Sequence, residues 1–211
     1  MPDPAGTGAG ESLERVLEDS RRLGFLGPGP LPPQIEHARG FASTRERAPD
    51  SFLDLGSGGG LPGLVLALEW PRAYAVLLDA MAKRTEFLRT ACTRLGISER
   101  VEVRCARAED AGRDPALRGR FDVVTARSFG PPAVTAECAA GLLRPGGELI
   151  VSEPPEDDGS RWPAAGLAEL GLEVVQAPTP QRRFVAMRLT GPTPDRYPRR
   201  VGVPGKRPLW G

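Results

Sequence analysis

From residue 50 onward, short apolar runs alternate with stretches of helical periodicity, and few folds accommodate that alternation. Residues 51–55, 73–79, 101–105, 121–126 and 148–152 read as buried strands. Residues 61–70, 81–95, 133–143 and 163–170 read as the helices between them. Residues 172–176 and 183–189 close the pattern as a strand pair. Glycine or proline punctuates nearly every junction: Pro62 is placed in the first turn of its helix, Gly96 ends the long helix, and Arg144-Pro-Gly-Gly147 is a tight turn before the fifth strand. Strands separated by helices require crossover connections. The expectation is therefore an α/β chain with a mainly parallel seven-stranded sheet and helices on both faces.

Upstream, residues 11–23 form a weakly amphipathic helix, the proline-glycine run at 27–33 breaks it, and residues 34–41 form a second short helix. Residues 1–10 are expected to be disordered. The division expected is a helical and irregular extension over 1–49, a nucleoside-binding domain over 50–190, and a basic, proline-rich tail over 191–211. No apolar run approaches the roughly 18 residues of a membrane helix, and no leader pattern precedes the first helix. The three cysteines, Cys92, Cys105 and Cys138, lack metal-ligand spacing. Reduced thiols, a cytoplasmic location and no metal are expected. The net charge of +1 conceals an asymmetry: residues 181–211 carry eight cations against Asp195, about +7, so the remainder is about −6. A basic end on an acidic body suits nucleic acid, and it equally suits a solubilising tail.

In an open α/β sheet, ligands bind beyond the carboxyl ends of the strands, where strand order reverses. The first such end is Asp54-Leu-Gly-Ser-Gly-Gly-Gly60. Gly56, Gly58 and Gly60 let the loop take positive φ and let a ligand approach the backbone. Asp79 ends the second strand, where a carboxylate can accept both hydroxyls of a ribose; an Asp there can also cap the next helix. Both readings stay open at that position. The loop departs from the spacing of pyrophosphate-binding loops, and acidic Asp54 precedes it. A cofactor with an ammonium and a sulfonium suits that charge better than a dinucleotide does.

Asp54-Leu-Gly-Ser-Gly-Gly-Gly60 resembles the first motif of class I S-adenosyl-L-methionine-dependent methyltransferases, a Rossmann-like fold, and Leu143-Arg-Pro-Gly-Gly-Glu148 resembles their late motif. Over residues 34–209 a narrower resemblance is to the RsmG (GidB) family, bacterial enzymes that methylate N7 of a guanine in small-subunit ribosomal RNA. Gly58-Gly-Gly-Leu-Pro-Gly63, Arg107-Ala-Glu109, Val124-Thr-Ala-Arg127 and the ending Tyr197-Pro-Arg-Arg-Val-Gly-Val-Pro-Gly-Lys-Arg-Pro208 carry it. The resemblance implies S-adenosyl-L-methionine as cofactor. The cofactor residues expected are Asp54, Gly56, Ser57, Gly58, Gly60, Leu61, Asp79, Ala108, Glu109 and Arg127, with Ala108 and Glu109 against the adenine and Arg127 also the one catalytic candidate. It implies ribosomal RNA or the small ribosomal subunit as partner, met by Arg199, Arg200, Lys206 and Arg207, with Arg182 and Arg183 in support and Tyr197 or Trp210 free to stack on a base. Departures fall on the substrate side: the family's amino-terminal segment has no counterpart, and Glu153-Pro-Pro155 stands where the family tends to carry Lys-Gly.

The residues agree with chemistry that needs no base. His37 is the single histidine. Ala126-Arg-Ser-Phe129 replaces the Asn/Asp-Pro-Pro-aromatic segment used on exocyclic amines, and Cys138, inside a predicted helix, is read as buried rather than nucleophilic. The alternatives are a methyltransferase of the same fold acting on another RNA or a small molecule, and a non-catalytic cofactor-binding protein of the ribosome.

Overall fold

The computed structural model describes residues 11–154, 159–179 and 183–211; the expected disorder of residues 1–10 and the cation Arg182 lie outside them. Seven strands form one sheet: β1 (Ser51–Leu55), β2 (Tyr74–Asp79), β3 (Val101–Cys105), β4 (Phe121–Ala126), β5 (Leu143–Ser152), β6 (Leu172–Gln176) and β7 (Phe184–Leu189). Their order is β3-β2-β1-β4-β5-β7-β6, parallel except that β7 runs antiparallel to both its neighbours. The reversal of strand order lies between β1 and β4, so the loops leaving those two strands open the cleft.

Helices cover both faces because the central strands are apolar on both. On one face α1 (Leu13–Arg22), α2 (Leu31–Ala42), α3 (Gly63–Glu69) and α4 (Ala82–Arg94) pack on Phe52, Ala75, Leu77 and Val123. On the other, α5 (Ala108–Ala111), α6 (Pro132–Ala140) and α7 (Ala164–Glu169) pack on Leu53, Leu55, Val76, Leu78 and Val124. A last turn of helix, α8 (Val203–Lys206), closes the chain.

Several expected boundaries shift. Helix α2 begins at Leu31, inside the expected proline-glycine break, because Pro32 and Pro33 sit in its first turn, where a missing N–H costs little. Helix α6 ends at Ala140 rather than at residue 143, which belongs to β5. The helix expected from residue 61 begins at Gly63, with Pro62 as its cap. Strand β5 starts at Leu143 rather than after the turn; the Arg144–Gly147 stretch is a bulge, across which pairing jumps from Phe121↔Leu143 to Val123↔Glu148. Described residues 11–49 pack onto the sheet. Val16, Leu17, Ile35 and Phe41 are buried, and Ser20 Oγ donates to Gly59 O at 2.8 Å, so α1 braces the glycine loop.

Candidate functional site

The loop after β1 is built around a buried carboxylate. Asp54 is 1% exposed; its Oδ2 accepts from Gly63 N (3.0 Å) and its Oδ1 from Thr125 Oγ1 (2.9 Å), across the β1–β4 register. It therefore ties the loop to the start of α3 and to β4, and does not line the cleft. Ser57 is equally buried and donates to Asp54 O, while Gly56, Gly58 and Gly60 all take positive φ. At Gly60, where φ is 102°, a Cβ would fall 2.5 Å from Leu64; at Gly63, which lacks a positive φ, packing alone selects glycine, since a Cβ would fall 2.6 Å from the Asp54 carboxylate.

Burial lifts the Asp54 carboxyl to about 6, while Thr125, Gly63 and the charge on Arg127 pull the other way. The folded protein thus holds this proton more tightly than the unfolded chain, whose value is near 3.8. The sign follows: this group favours the fold most below about pH 4 and progressively less as pH rises towards 6, by about 3 kcal/mol in total. Relative to Asp54→Asn, the wild type is expected to lose about that much stability between pH 4 and pH 7 in denaturant titrations. A difference that does not change with pH would refute the buried titration.

Asp79 carries the second half of the loop. It is 6% exposed; Oδ2 accepts from Gly58 N (2.9 Å) and Oδ1 from Met81 N (2.8 Å), with Arg84 Nη1 3.6 Å away. The capping reading of this residue is met by the Met81 contact. Asp79 organises the start of the following helix, and it also walls a cleft of about 220 Å³ with Gly56, Ala106, Ala108, Glu109 and Val134. Of the expected cofactor residues, Gly56, Asp79, Ala108 and Glu109 meet in this cleft. Asp54, Ser57, Gly58, Gly60 and Leu61 instead shape the loop behind it.

Arg127 lies apart. It borders a second cavity, of about 290 Å³, with His37, Thr135, Glu153, Arg161 and Trp162. Nη2 reaches Gln34 Oε1 at 3.4 Å, and buried Nη1 finds no hydrogen-bond partner among the described residues. Desolvation lowers its pKa, and the charge of the buried Asp54 partly offsets this. A donor so placed suits an incoming acceptor. His37, stacked on Phe184 at 5.1 Å, is likewise held below its ordinary pKa by burial and by the charges of Arg127 and Arg183. Glu153 forms the back wall, accepting from Trp162 Nε1 and Arg161 Nη1, each at 3.0 Å.

Phe129 and Gly130 border both cavities. The Phe129 ring lies over Gly56, where a Cβ would come within 2.7 Å of it, and the preceding Ser128 takes a φ of 52° to turn the chain. Sequence reasoning used Phe129 only to exclude one chemistry. The missed signal was an aromatic directly beyond the strand that faces the glycine loop.

The basic tail is a strap. Tyr197 is buried and donates from its hydroxyl to Glu169, so it is not free to stack on a base. Arg199 grips the fully buried Glu137 from its backbone N (2.8 Å), Nε (2.9 Å) and Nη2 (2.6 Å). Arg118 Nη1 donates to Tyr197 O and its Nη2 to Thr193 O, Arg113 Nη1 donates to Pro198 O, and Gly202 N donates to Glu109 Oε1. Arg200, Lys206, Arg207 and Arg183 remain exposed. Cys138 lines the first cleft, but burial pushes its thiol far up, which disfavours a thiolate. No group that could hold a metal occurs among the described residues, and no helix there is long and apolar enough to cross a membrane.

Comparison with known proteins places this arrangement. Residues 36–154 match the family model GidB, rRNA small subunit methyltransferase G. A protein of Rubrobacter xylanophilus named Ribosomal RNA small subunit methyltransferase G is 40% identical, over 95% of this chain and 83% of its own length. Its namesake in Prochlorococcus marinus is 38% identical over 76% of this chain and 68% of its own. Among solved structures, an O-methyltransferase from Bacillus cereus in complex with SAH superposes with a TM-score of 0.59 at 20% identity, over 83% of this chain and 90% of that one. A cofactor-bound protein from MTB gives 0.59 at 21% identity, over 90% of this chain and 99% of that one. At such identity these two show the shared fold.

Proposed function

The chain belongs to the rRNA small subunit methyltransferase G family, and on that premise we propose that it transfers the methyl group of S-adenosyl-L-methionine to N7 of a guanine in small-subunit ribosomal RNA. The observation that carries this reading is the pair of cavities meeting at Phe129, one acidic and nucleoside-sized, the other lined by an unpartnered guanidinium donor. The residues present fit the cofactor. Asp79 offers carboxylate oxygens beside the glycine loop for a ribose, Ala106, Ala108 and Val134 offer an apolar slot for adenine, and no cation cluster awaits a pyrophosphate among the residues that line the cleft. When bound, the cofactor supplies an electrophilic methyl on sulfonium.

The chain's own task is then positioning. Guanine N7 presents an in-plane lone pair and loses no proton on methylation, so no general base is required. His37, whose pKa is lowered by burial and by the charges of Arg127 and Arg183, is a poor proton acceptor. The Arg127 guanidinium can donate to guanine O6, next to N7, leaving the N7 lone pair unblocked. Phe129 borders both cavities, so its ring would flank the point where the acceptor and the methyl group meet and help keep water from it.

Arg200, Lys206, Arg207 and Arg183 are the cations left to meet phosphate, since Arg199 is engaged by Glu137. Replacing Arg200, Lys206 and Arg207 with alanine is expected to weaken RNA binding about tenfold or more at low salt and to flatten its salt dependence, with cofactor affinity intact. RNA affinity unchanged across a salt titration would exclude the strap as an RNA surface. Calorimetry tests the cofactor itself: S-adenosyl-L-methionine should bind and NAD should not, and the reverse result would overturn the reading.

A further inference from the structure

A third cavity adjoins the two already described. An apolar groove of about 380 Å³ runs between the start of α6 and the end of the strap, walled by Pro131, Pro132, Val134, Gly205, Pro208 and Trp210. It shares Pro131, Val134 and Gly205 with the cofactor cleft and Pro132 and Arg161 with the Arg127 cavity. All three spaces therefore meet around one segment, residues 129–134. Nothing in methyl transfer to a single base calls for the third.

We propose that this groove is a stacking subsite for the nucleobase next to the methylated guanine; the proposal rests on the RNA reading above. A strand that places a guanine in the Arg127 cavity must carry its neighbours past the adjoining wall. That wall offers flat, apolar surfaces of proline and indole, which suit an unstacked base of any identity. The exposed cations Lys206 and Arg207 stand in sequence between the groove residues Gly205 and Pro208, where a base in the groove would bring its phosphates. An apolar protein segment would gain nothing from those cations. Trp210 is also held rigid: its ring covers Gly166, where a Cβ would come within 2.3 Å, and its Nε1 donates to Arg161 O at 3.0 Å. A preset ring loses little freedom when a base stacks on it.

The test measures KM and kcat for methylation of a small-subunit rRNA fragment containing the acceptor guanine, intact or with an abasic residue on either side of it. With the wild type, one of the two abasic positions is expected to raise KM about tenfold with little change in kcat, the size of one base–aromatic stack. Trp210→Leu should raise KM for intact RNA similarly and be insensitive to that abasic change. Trp210→Phe, which keeps a ring and loses the Arg161 hydrogen bond, should raise KM less than Trp210→Leu and stay sensitive to that abasic change. Should Trp210→Leu fail to fold, Pro208→Glu, at an exposed wall position, should give the same RNA defect with normal cofactor affinity. Methylation indifferent to both abasic positions overturns the subsite alone. A Trp210→Leu defect of equal size on intact and abasic RNA also overturns it, assigning the groove to structure or to a protein partner. If the wild type methylates no guanine, the functional reading falls and the subsite falls with it.

Discussion

Arg199→Ala is expected to lower the stability of the fold by about 3 kcal/mol, the low end for breaking a buried ion pair, because it strands the Glu137 carboxylate inside α6. Glu137 is 0% exposed, and Arg199 supplies its guanidinium donors and a backbone N–H as well. Lysine would restore the charge without the two-pronged geometry, so Arg199→Lys should recover only part of the loss. Urea titrations of the three proteins measure this. A change under about 0.5 kcal/mol, the usual range for a surface substitution, would return Arg199 to the solvent-facing cations. Any RNA-binding defect of an Arg199 variant has to be read through this structural role. The exposed cations Arg200, Lys206 and Arg207 are the cleaner probes.

The second large effect is at Asp79. Asp79→Ala removes the acceptor for Gly58 N and Met81 N together with the carboxylate that faces the cleft. Cofactor affinity is expected to fall about 100-fold, the size of two charge-assisted hydrogen bonds from the ribose hydroxyls at modest strength. Asp79→Asn keeps one acceptor oxygen and should lose about tenfold. Isothermal calorimetry reads both, with circular dichroism to show the sheet intact. Affinity unchanged in Asp79→Ala would mean that this carboxylate serves only the loop.

Much of the fold is legible in the sequence because its central strands are buried on both faces. A strand buried on both faces reads as a mainly apolar run, and the bounds at Ser51–Leu55 and Phe121–Ala126 follow from it; the edge strand Val101–Cys105 is marked instead by its alternation of apolar and charged residues. The turns of helix at Ala108–Ala111 and Val203–Lys206 escape because four residues carry no periodicity. The β5 bulge escapes because Arg144-Pro-Gly-Gly147 has the composition of a turn whether or not the strand continues through it. For the site, Gly56, Asp79, Ala108 and Glu109 converge as expected. Asp54 is instead satisfied inside the loop by Gly63 and Thr125, partners that an i-to-neighbour reading cannot find.

The strap shows the same limit at longer range. Tyr197, Arg199 and their neighbours read as a basic tail, since charge is local information. Their partners Glu169, Glu137, Arg113 and Arg118 lie 28 to 85 residues away in the chain. Only the fold brings them together. The departure from the family pattern at Glu153 has a structural counterpart too, because this residue walls the Arg127 cavity rather than the cofactor cleft.

The central claim is tested most directly by mass mapping of small-subunit ribosomal RNA from cells with and without this protein. The expected result is one guanine that carries an N7 methyl only when the protein is present, lost again in Asp79→Ala and restored by the wild type. Identical guanine methylation in the two RNAs would contradict it.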